Sequence, residues 1–521
     1  MIRIETKSAI NSYNPATLEK NETIPKTPLK EFPEIFARAR RAQKIWASYS
    51  FRQRAGYLYK MRTWIIDNAD YITETIRREH GKSRADIMSS EILHAVISAT
   101  WYARNAGRIL KPRRLGMSSI IFANKRNRLY YEPAGVAGLI TPWNYPFSLP
   151  FAETAMALMA GNAVILKASE YALLSARLIG EAAAAAGLPD GLFHNVVGNG
   201  RDVAPKLYEN GINRIFFTGS YATGRHVARD CAERLIPVSL ELGGKDAMIV
   251  LEDADLDRAV NGAVWASFHN TGQVCASVER VYVHDSVYDE FLARASEAVR
   301  KLRHGMDSAA DIGPLMNEQQ YNKVQGQLED ALRRGAKVAA SSEFTGGSGW
   351  FVPATILTGV TAKMKLMEEE TFGPFMPVIR YRDAGEIPAL VNQSRYGLTA
   401  SIWTRNHKKA VRLAQEIEAG VISVNDHLYI HINPEVPWGG VKDSGMGRTH
   451  SSEGLYKMTE PKVINYDLLP VKRNAWWYPA DSRTYDGILA VIRLLYLPLF
   501  ARGKFRNLSA LLSLAVKMLR R

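Results

Sequence analysis

The sequence predicts an α/β fold in which helices cross a parallel sheet. Short apolar runs at residues 164–166, 193–197, 214–217 and 247–251 have the length and composition of buried strands. The alanine-rich stretch 174–186 lies among them and has the composition of a helix. Strands that alternate with helices in this way are joined by crossover connections and form a parallel sheet.

Size and composition are those of an ordinary globular protein. The chain has 521 residues, of which 46% are hydrophobic and 23% are charged, so it is long enough for at least two domains with large cores. Its two cysteines provide neither a disulfide framework nor zinc-finger spacing, which suits a reducing compartment. The N-terminal residues lack the apolar core of a signal peptide. We therefore expect a cytoplasmic protein and no metal site.

The net charge of +15 is distributed unevenly. Residues 488–521 contain seven Lys or Arg and no acidic residue, so this tail carries nearly half of the excess. The chain has no basic motif interleaved with aromatic residues and no recognised nucleic-acid module. The charge is thus mainly a property of the tail, and no nucleic-acid partner is expected.

Other segments flank the predicted sheet. Residues 31–91 have apolar side chains at helical spacing, and we interpret them as amphipathic packing helices with solvated charges. Residues 117–133 have the composition of a strand or hairpin, and we interpret them as an arm that pairs with another subunit. A second alternating α/β block is predicted at 243–440, with helices at 256–268 and 287–302.

Parallel sheets of this kind bind ligands beyond the carboxyl ends of their strands. The predicted strands end at or just before Lys167, Gly219 and Glu241, which are polar or glycine. The alternation of strands and helices is typical of a dinucleotide-binding architecture. These three positions are therefore candidate site residues.

Three motifs lie at these strand ends, and each has a structural alternative. In TPWNYP, Asn144 could be held rigidly and donate to an oxyanion, although such a loop asparagine is more often a turn residue. In LKASE, Lys167 and Glu170 could bind ribose hydroxyls or could form a charge pair at a helix start. In FFTGSYATG, Gly219 and Ser220 could offer donors to a pyrophosphate, although strand-Gly-helix junctions are common packing devices.

Two later loops are further candidates. EEETFGPFMPV contains Glu370 and Phe372 and could cover a nicotinamide ribose. PWGGVKDSGMGR, at 437–448, has glycines that permit close backbone approach, although it can also be a purely structural loop.

The stretch 240–276 contains a carboxylate and a thiol, Glu241 in ELGGKD and Cys275 in NTGQVCAS. A thiol attacks a carbonyl as its thiolate, so Cys275 requires a partly exposed site whose donors or helix N-terminus lower its pKa. The resulting acyl-enzyme needs a general base, which Glu241 can supply if the fold brings it near. Cys231, in a helix-like run at 224–234, fits the alternative of a small buried hydrophobe.

Together the motifs resemble the aldehyde dehydrogenase superfamily of NAD(P)-dependent, hydrolytic type, in the order NPAT, WNYP, KASE, FTGS, ELGG, GQVC, ETFGP and PWGGVKDSG. The resemblance covers residues 10–466. It implies a Rossmann-type cofactor domain, an α/β catalytic domain and a β-hairpin oligomerisation arm. The implied boundaries are 1–242 for NAD binding with the arm at 117–133, 243–440 for catalysis, 441–466 for a return to the cofactor domain with an oligomerisation strand, and 467–521 for a basic amphipathic tail.

The resemblance also implies roles for individual residues. Cys275 is implied as the nucleophile, Asn144 as the side-chain oxyanion donor and Glu241 as the general base. An aldehyde is then oxidised through a thiohemiacetal and a thioester. Because the hydrolytic glutamate is typically absent from the CoA-acylating branch, release by water is expected. The implied cofactor contacts are Trp143, Lys167, Glu170, Gly200, Gly219, Ser220, Gly224, Glu370 and Phe372.

Cofactor preference and assembly follow from the same resemblance. A carboxylate at Glu170 would bond a free 2′-hydroxyl and repel a 2′-phosphate, so NAD is favoured over NADP. Ala168 stands where relatives commonly carry proline, which should loosen this loop slightly. A homodimer or homotetramer is implied, built through the arm and a strand at 462–466.

The tail motivates a hypothesis about the substrate. Residues 488–500 are apolar but too short to span a bilayer of ~30 Å. From Phe505 onward, apolar residues and polar residues such as Lys517 fall on opposite helical faces, as in an interfacial helix. Alternatively, the tail folds back onto the enzyme or a sister subunit. We hypothesise peripheral membrane contact through 488–521 and a medium- to long-chain aliphatic aldehyde. A semialdehyde, an aromatic aldehyde and a catalytically silent membrane scaffold are the alternatives.

Overall fold

The structure is a computed structural model that describes residues 4–306, 310–344, 346–478 and 481–519. The chain divides into two compact units, one formed by residues 1–110 and 133–460 and the other by 111–132 and 461–521. The first unit contains both large sheets and all of the predicted site residues. The second contains most of the predicted arm and the tail.

A six-stranded sheet in the first unit confirms the predicted parallel architecture. Its first strand in the sequence is central, with two later parallel strands on each side, an order typical of dinucleotide-binding sheets. A short antiparallel strand completes one edge. In sheet order the strands are Gly445–Met446, Val238–Glu241, Arg214–Thr218, Val136–Thr141, Ala163–Ala168 and Phe193–Asn195.

A seven-stranded sheet forms the second α/β block. All of its neighbouring strands are parallel except the pair at one edge. The predicted strand at 247–251 lies in this sheet, as Asp246–Val250. In sheet order the strands are Lys337–Ser341, Thr355–Thr358, Phe375–Tyr381, Val278–His284, Asp246–Val250, Thr399–Trp403 and Val421–Val424. Two short antiparallel pairs join Ala9–Tyr13 to Lys20–Pro25 and Tyr396–Gly397 to Val441–Lys442.

Helices of the first unit flank these sheets. One of them, Ser148–Ala160, is buried on every side, because its sequence is apolar all round and it lies within the protein interior. The predicted helix 287–302 begins earlier, at Asp285, because the His284 side chain caps it by accepting from the Ser286 backbone N–H. The longer helices are Phe32–Ser48, Phe51–Asp67, Ala69–His80, Leu93–Ile109, Ser148–Ala160, Leu173–Ala185, Gly200–Glu209, Tyr221–Ala232, Leu256–Phe268, Asp285–Arg300, Glu318–Arg333, His407–Glu416 and Ser451–Lys457.

The predicted arm is part of a hairpin that begins before residue 117. Arg113–Leu115 pairs antiparallel with Lys125–Pro133, and a 3-10 turn at Ile120–Phe122 lies between them. The hairpin joins Thr459–Asp467 in a three-stranded sheet. A strand is therefore found where 462–466 predicted one.

The tail forms two helices, Ser482–Tyr496 and Ser509–Leu519, that pack on each other. Leu514 is buried against Gly487, where an added Cβ would lie 2.7 Å from the Leu514 Cβ. The prediction that Lys517 lies on a solvated polar face is wrong. Its ammonium is buried, donates to the Thr484 hydroxyl and lies 3.5 Å from a carboxylate oxygen of Asp481.

The packing of the two tail helices on each other explains why Lys517 is buried. A single amphipathic helix would leave its polar face to solvent, whereas the second helix turns back onto the capped start of the first. Within the part of the chain that the structure describes, none of the helices has both the length and the apolar character to cross a membrane.

Candidate active site

A tight loop positions Cys275 after the helix Leu256–Phe268. Asn270 and Thr271 have φ angles of 50° and 60°, in the left-handed region that few non-glycine residues adopt. The Asn270 side chain stabilises this turn by donating to the backbone oxygens of Asn144, at 3.0 Å, and Gln273, at 3.2 Å. This strained segment has no signal in the sequence beyond its Asn and Gly residues. It ties the thiol loop to the WNYP loop.

Asn144 is buried and is held against the same loop. Its Nδ2 donates to the backbone oxygen of Gln273 at 3.0 Å. One of the two amide hydrogens is therefore engaged within the protein, and one is left for another acceptor. Asn144 is held by this hydrogen bond, and it can offer a single hydrogen rather than the whole NH2 group.

The thiol of Cys275 is partly exposed, but on balance its surroundings raise its pKa. Burial raises the pKa, and the carboxyl groups of Asp246, Glu370 and Glu241 raise it further. A backbone hydrogen bond at Ala276 lowers the pKa of the thiol, but it contributes less than burial and these carboxyl groups. A cation near the three carboxyl groups would favour the thiolate.

Glu241 ends the strand Val238–Glu241 and is buried. Neither of its carboxyl oxygens has a hydrogen-bond partner among the described residues. Burial raises its pKa well above the ordinary value, and the nearby carboxyl of Glu153 raises it further, whereas Arg448 lowers it. Gly439, with φ of 145°, leaves room beside this carboxyl, since an added Cβ would lie 2.8 Å from Oε1 of Glu241.

The adenosine-side candidates form one hydrogen-bonded group. Lys167 Nζ lies 2.8 Å from Oε1 of Glu170, and the backbone N–H of Gly200 donates to the same oxygen at 2.9 Å. The charge-pair alternative for LKASE therefore exists in the structure. It does not preclude a ligand, because Glu170 keeps its second oxygen and part of its surface exposed.

In the turn at 219–224, Ser220 and Gly224 have different structural roles. Ser220 caps the helix Tyr221–Ala232 by accepting from the backbone N–H of Thr223 at 3.3 Å. Helix N-termini such as this one bind phosphate groups. Gly224 faces Leu242 instead, and an added Cβ would lie 2.5 Å from the Leu242 Cδ2 atom. Gly224 thus allows the helix to pack closely on the sheet.

The nicotinamide-side candidates also lie together. The ring of Phe372, at a φ of 56°, makes an edge contact with Trp143 at a centroid distance of 5.4 Å. Glu370 accepts from the backbone N–H of Gly244 at 3.2 Å, and burial raises its pKa to about 7. Glu279, which the sequence did not single out, anchors this loop by accepting from the Phe372 backbone N–H at 2.9 Å.

A group of aromatic and histidine side chains packs together near Tyr145, which follows Asn144 in the sequence. Its members are buried, and the ring of Tyr145 lies 5.6 Å from that of His431. His94 lies 5.1 Å from His431 and 6.1 Å from His450, and burial lowers the pKa of all three imidazoles. Among the described residues, no cluster of His, Cys, Asp or Glu is arranged to hold a metal ion. The group of aromatic and histidine side chains was not predicted from the sequence, because its members are far apart in the chain.

Comparison with known proteins agrees with this arrangement. The family model for the aldehyde dehydrogenase family matches residues 2–464. A 4,4′-diapolycopene aldehyde oxidase of Methylomonas sp is 40% identical over 461 residues, 88% of this chain and 86% of that protein. A putative succinate-semialdehyde dehydrogenase (NADP(+)) of Mycolicibacterium smegmatis is 37% identical over 85% of this chain and 86% of that protein.

Solved structures show the same similarity. The NAD+ complex of an aldehyde dehydrogenase from Bacillus cereus matches with a TM-score of 0.84 at 31% identity, and covers 88% of this chain and 94% of that one. The sheet order, the motif positions and these matches lead to one conclusion. The chain belongs to the aldehyde dehydrogenase family and is an oxidoreductase that acts on aldehydes with NAD(P) as the acceptor.

Proposed function

We propose that this enzyme oxidises an aldehyde through a thioester on Cys275, which water hydrolyses with Glu241 as the base. The supporting observation is the pairing of a partly exposed thiol with a buried carboxyl that has no partner among the described residues. Asn144, fixed by Gln273, completes the arrangement. Structural carboxyl groups are normally bonded when buried, so one left open favours a role in proton transfer.

The first chemical step is attack of the Cys275 sulfur on the aldehyde carbon. Negative charge develops on the aldehyde oxygen, and the remaining amide hydrogen of Asn144 can stabilise it. A bound NAD(P)+ would supply a positive charge beside the thiol and would accept the hydride that leaves the thiohemiacetal carbon. Since three carboxyl groups raise the pKa of Cys275, we expect this thiol to alkylate faster when the oxidised cofactor is present.

The second chemical step is hydrolysis. Water adds to the thioester carbon while Glu241 accepts its proton, the carbon–sulfur bond breaks, and the sulfur leaves as a thiolate. The carboxylic acid then departs. A base must have an oxygen that is free to accept a proton. This requirement accounts for the lack of hydrogen-bond partners, among the described residues, at both carboxyl oxygens of Glu241.

The residues at the predicted cofactor contacts fit a dinucleotide. The capped helix start at Ser220 suits a pyrophosphate, and the exposed part of Glu170 suits ribose hydroxyls. We propose a preference for NAD, because the Glu170 carboxylate disfavours a 2′-phosphate. Its ion pair with Lys167 weakens that effect, so the preference should be modest. Glu170→Gln should raise kcat/KM for NADP relative to NAD, and an unchanged ratio would contradict this assignment.

We propose a medium- to long-chain aliphatic aldehyde as substrate, reached at a membrane surface. Exposed apolar side chains between and along the two tail helices support this, with Phe500 96% and Leu512 73% exposed, next to the exposed basic Arg502 and Arg506. Such a surface suits an anionic bilayer. A semialdehyde is the second candidate, because one relative is named for that substrate.

Vesicle binding tests the membrane proposal. The full chain should sediment with anionic vesicles and less with neutral ones, and Phe500→Ser with Leu512→Ser should reduce sedimentation severalfold at unchanged charge. No sedimentation of the full chain with anionic vesicles would contradict membrane contact. NAD reduction over aldehydes of increasing length should rise with length. A maximum at a short semialdehyde would favour the second candidate.

We also propose a division of the chain into cofactor binding at 1–242, catalysis at 243–440 and a return segment at 441–466. The six-stranded and seven-stranded sheets support it, because each draws its longer strands from one of these ranges. A homodimer or homotetramer through the hairpin at 117–133 belongs to this proposal as well. Sedimentation velocity of the full chain and of a variant with charges introduced on that hairpin would test the assembly.

Cys275→Ser tests the chemistry most directly. This variant should bind the cofactor with unchanged affinity and lose turnover, and when it is combined with Glu241→Gln it should form no acyl adduct detectable by mass spectrometry. Retained turnover would remove Cys275 from the mechanism. Absence of NADH formation by the parent over the whole aldehyde panel would instead favour the silent-scaffold alternative.

A further inference from the structure

Glu153 is a second buried carboxyl near the proposed base. It is the only charged residue of the helix Ser148–Ala160, whose other side chains are apolar or small. Thr218 makes a hydrogen bond to its carboxyl, and the Oε2 atom has no partner among the described residues. Burying a carboxyl with so few donors is costly, and such groups stay protonated or serve a function.

The sheet brings Glu153 to the side of Glu241. Thr218, which contacts Glu153, pairs directly with Glu241 across the neighbouring parallel strands Arg214–Thr218 and Val238–Glu241. Glu153, on a helix, and Glu241, on a strand, are therefore both neighbours of Thr218. Burial raises the pKa of Glu153 to about 8, and Glu153 in turn raises the pKa of Glu241.

Other ionisable groups around this helix do not neutralise the pair. Glu91 accepts from the Ser148 backbone N–H at the start of the helix, and Arg54 donates to the Met159 backbone oxygen at its end. Tyr102 lies near Glu153, and its hydroxyl stays neutral because burial raises its pKa. Arg448 is a cation that lowers the pKa of Glu241, but it contributes less than burial and Glu153.

We propose that Glu153 and Glu241 share one proton, and that Glu153 thereby sets the pH at which Glu241 becomes available as the hydrolytic base. The proposal rests on the function proposed for Glu241. Two carboxylates in one desolvated space cannot both ionise near neutral pH, so they titrate as a pair. While the shared proton is on Glu241, water is not activated. When the shared proton is on Glu153 instead, Glu241 is ionised and can accept a proton from water.

The proton balance of hydrolysis follows from this sharing. The attacking water gives one proton to Glu241 as its oxygen bonds to the thioester carbon and the sulfur leaves as a thiolate. The pair then holds two protons and releases one to solvent before the next cycle. Glu153 touches neither the thioester nor the water in this scheme, so it is a positioning residue.

Glu153→Gln tests the proposal, because glutamine has the shape of the protonated acid and cannot ionise. Para-nitrophenyl acetate, which can acylate a thiol without cofactor, serves as the probe, and decay of the acetyl-enzyme mass is followed against pH. With the repulsion removed, half-maximal hydrolysis should move about one pH unit or more to lower pH. The alkaline plateau rate should change less than about twofold.

Two further variants keep the test decisive. Glu153→Asp retains a titrating carboxyl and should keep the parent profile. Thr218→Val removes the hydrogen bond that lowers the pKa of Glu153, so Glu153 ionises later and the profile should shift in the same direction as in Glu153→Gln, but less. If Glu153→Gln does not fold, these two profiles still decide the matter.

The outcomes separate this inference from the proposed function. A Glu153→Gln profile identical to the parent, with Glu241→Gln still trapping the acetyl-enzyme, would overturn the shared proton alone. Normal hydrolysis by Glu241→Gln would overturn the role of Glu241 and with it the pair. A loss of thermal stability in Glu153→Gln without any shift in the profile would reduce Glu153 to a structural residue.

Discussion

Two sets of buried carboxyl groups in this enzyme contrast with each other. Glu91 represents the first set. It receives an ammonium hydrogen from Lys82 at 2.7 Å and backbone hydrogens from Phe147 and Ser148 at 3.2 and 2.8 Å. Glu279 is anchored in the same way, by Lys245 and by backbone N–H groups of the loop that carries Phe372. Every such contact fixes a loop or a helix start.

Glu241 and Glu153 represent the second set. Three of their four carboxyl oxygens have no partner among the described residues, and burial raises the pKa of both groups. The two sets lie within one compact unit and experience similar burial. Hydrogen bonding, rather than burial, therefore distinguishes a carboxyl that holds the fold from one whose proton can move.

Glu241→Gln should have the largest effect on activity. Steady-state turnover should fall about 10²- to 10⁴-fold, because the general base is lost. A first burst of NADH should remain, with an acyl mass accumulating on the protein. The melting temperature should not fall, since the carboxyl makes no hydrogen bonds to lose. A variant that melts much earlier would place Glu241 in the structural set.

Glu91→Gln should lower the stability of the fold and leave the acylation chemistry intact, which is the opposite of the result expected for Glu241→Gln. Removing the charge breaks the buried pair with Lys82, and such losses cost about 3–5 kcal/mol of unfolding free energy. Denaturant unfolding should show this loss, while the folded fraction should still form the acyl-enzyme. Unchanged stability would contradict the structural role of Glu91.

Asn144→Ala should lower the rate of acylation about 10²- to 10³-fold through loss of an oxyanion donor. Its hydrogen bond to Gln273 is also lost, so the thiol loop should become easier to unfold locally. Stopped-flow measurement of the NADH burst tests the rate. Asn144→Asp is the matched control, because it keeps the shape without the amide donor and should be equally slow.

Glu153→Gln should have the smallest effect on activity, together with a characteristic pH dependence of stability. Folded Glu153 keeps its proton up to a pKa of about 8, whereas the unfolded chain releases it near 4.5. The folded chain then binds more protons over that range, so its stability falls as pH rises. The slope is at most about 1.4 kcal/mol per pH unit. The variant should lose this slope, and identical slopes would contradict the raised pKa.

Much of the site could be read from local sequence. Cys275, Glu241 and Asn144 stand in motifs of proline, glycine and aromatic residues, and the strands before Lys167 and Gly219 are short apolar runs. Local patterns of this kind depend on turn chemistry and hydrophobic periodicity, which act over a few residues. The parallel sheet and the candidate residues follow from them, whereas the family was identified by the resemblance of the ordered motifs to those of known proteins.

The partners of those residues could not be read in the same way. Asn144 is engaged by Gln273, more than a hundred positions away, and the carboxyl groups that raise the pKa of the Cys275 thiol belong to other segments, at Glu241, Asp246 and Glu370. The burial of Lys517 depends on two tail helices packing together. Long-range contacts carry no local pattern, because they arise only when distant segments share a core.

The sequence alone therefore determined which side chains are available for chemistry and on which kind of element each one lies. The tertiary structure decided which carboxyl groups are bonded and which are left open. Glu241 and Glu153 are 88 positions apart, and only the pairing of Thr218 with Glu241 in the sheet brings them together. Ionisation depends on such neighbours within a few ångströms, so the chemistry of the site is a property of the folded chain.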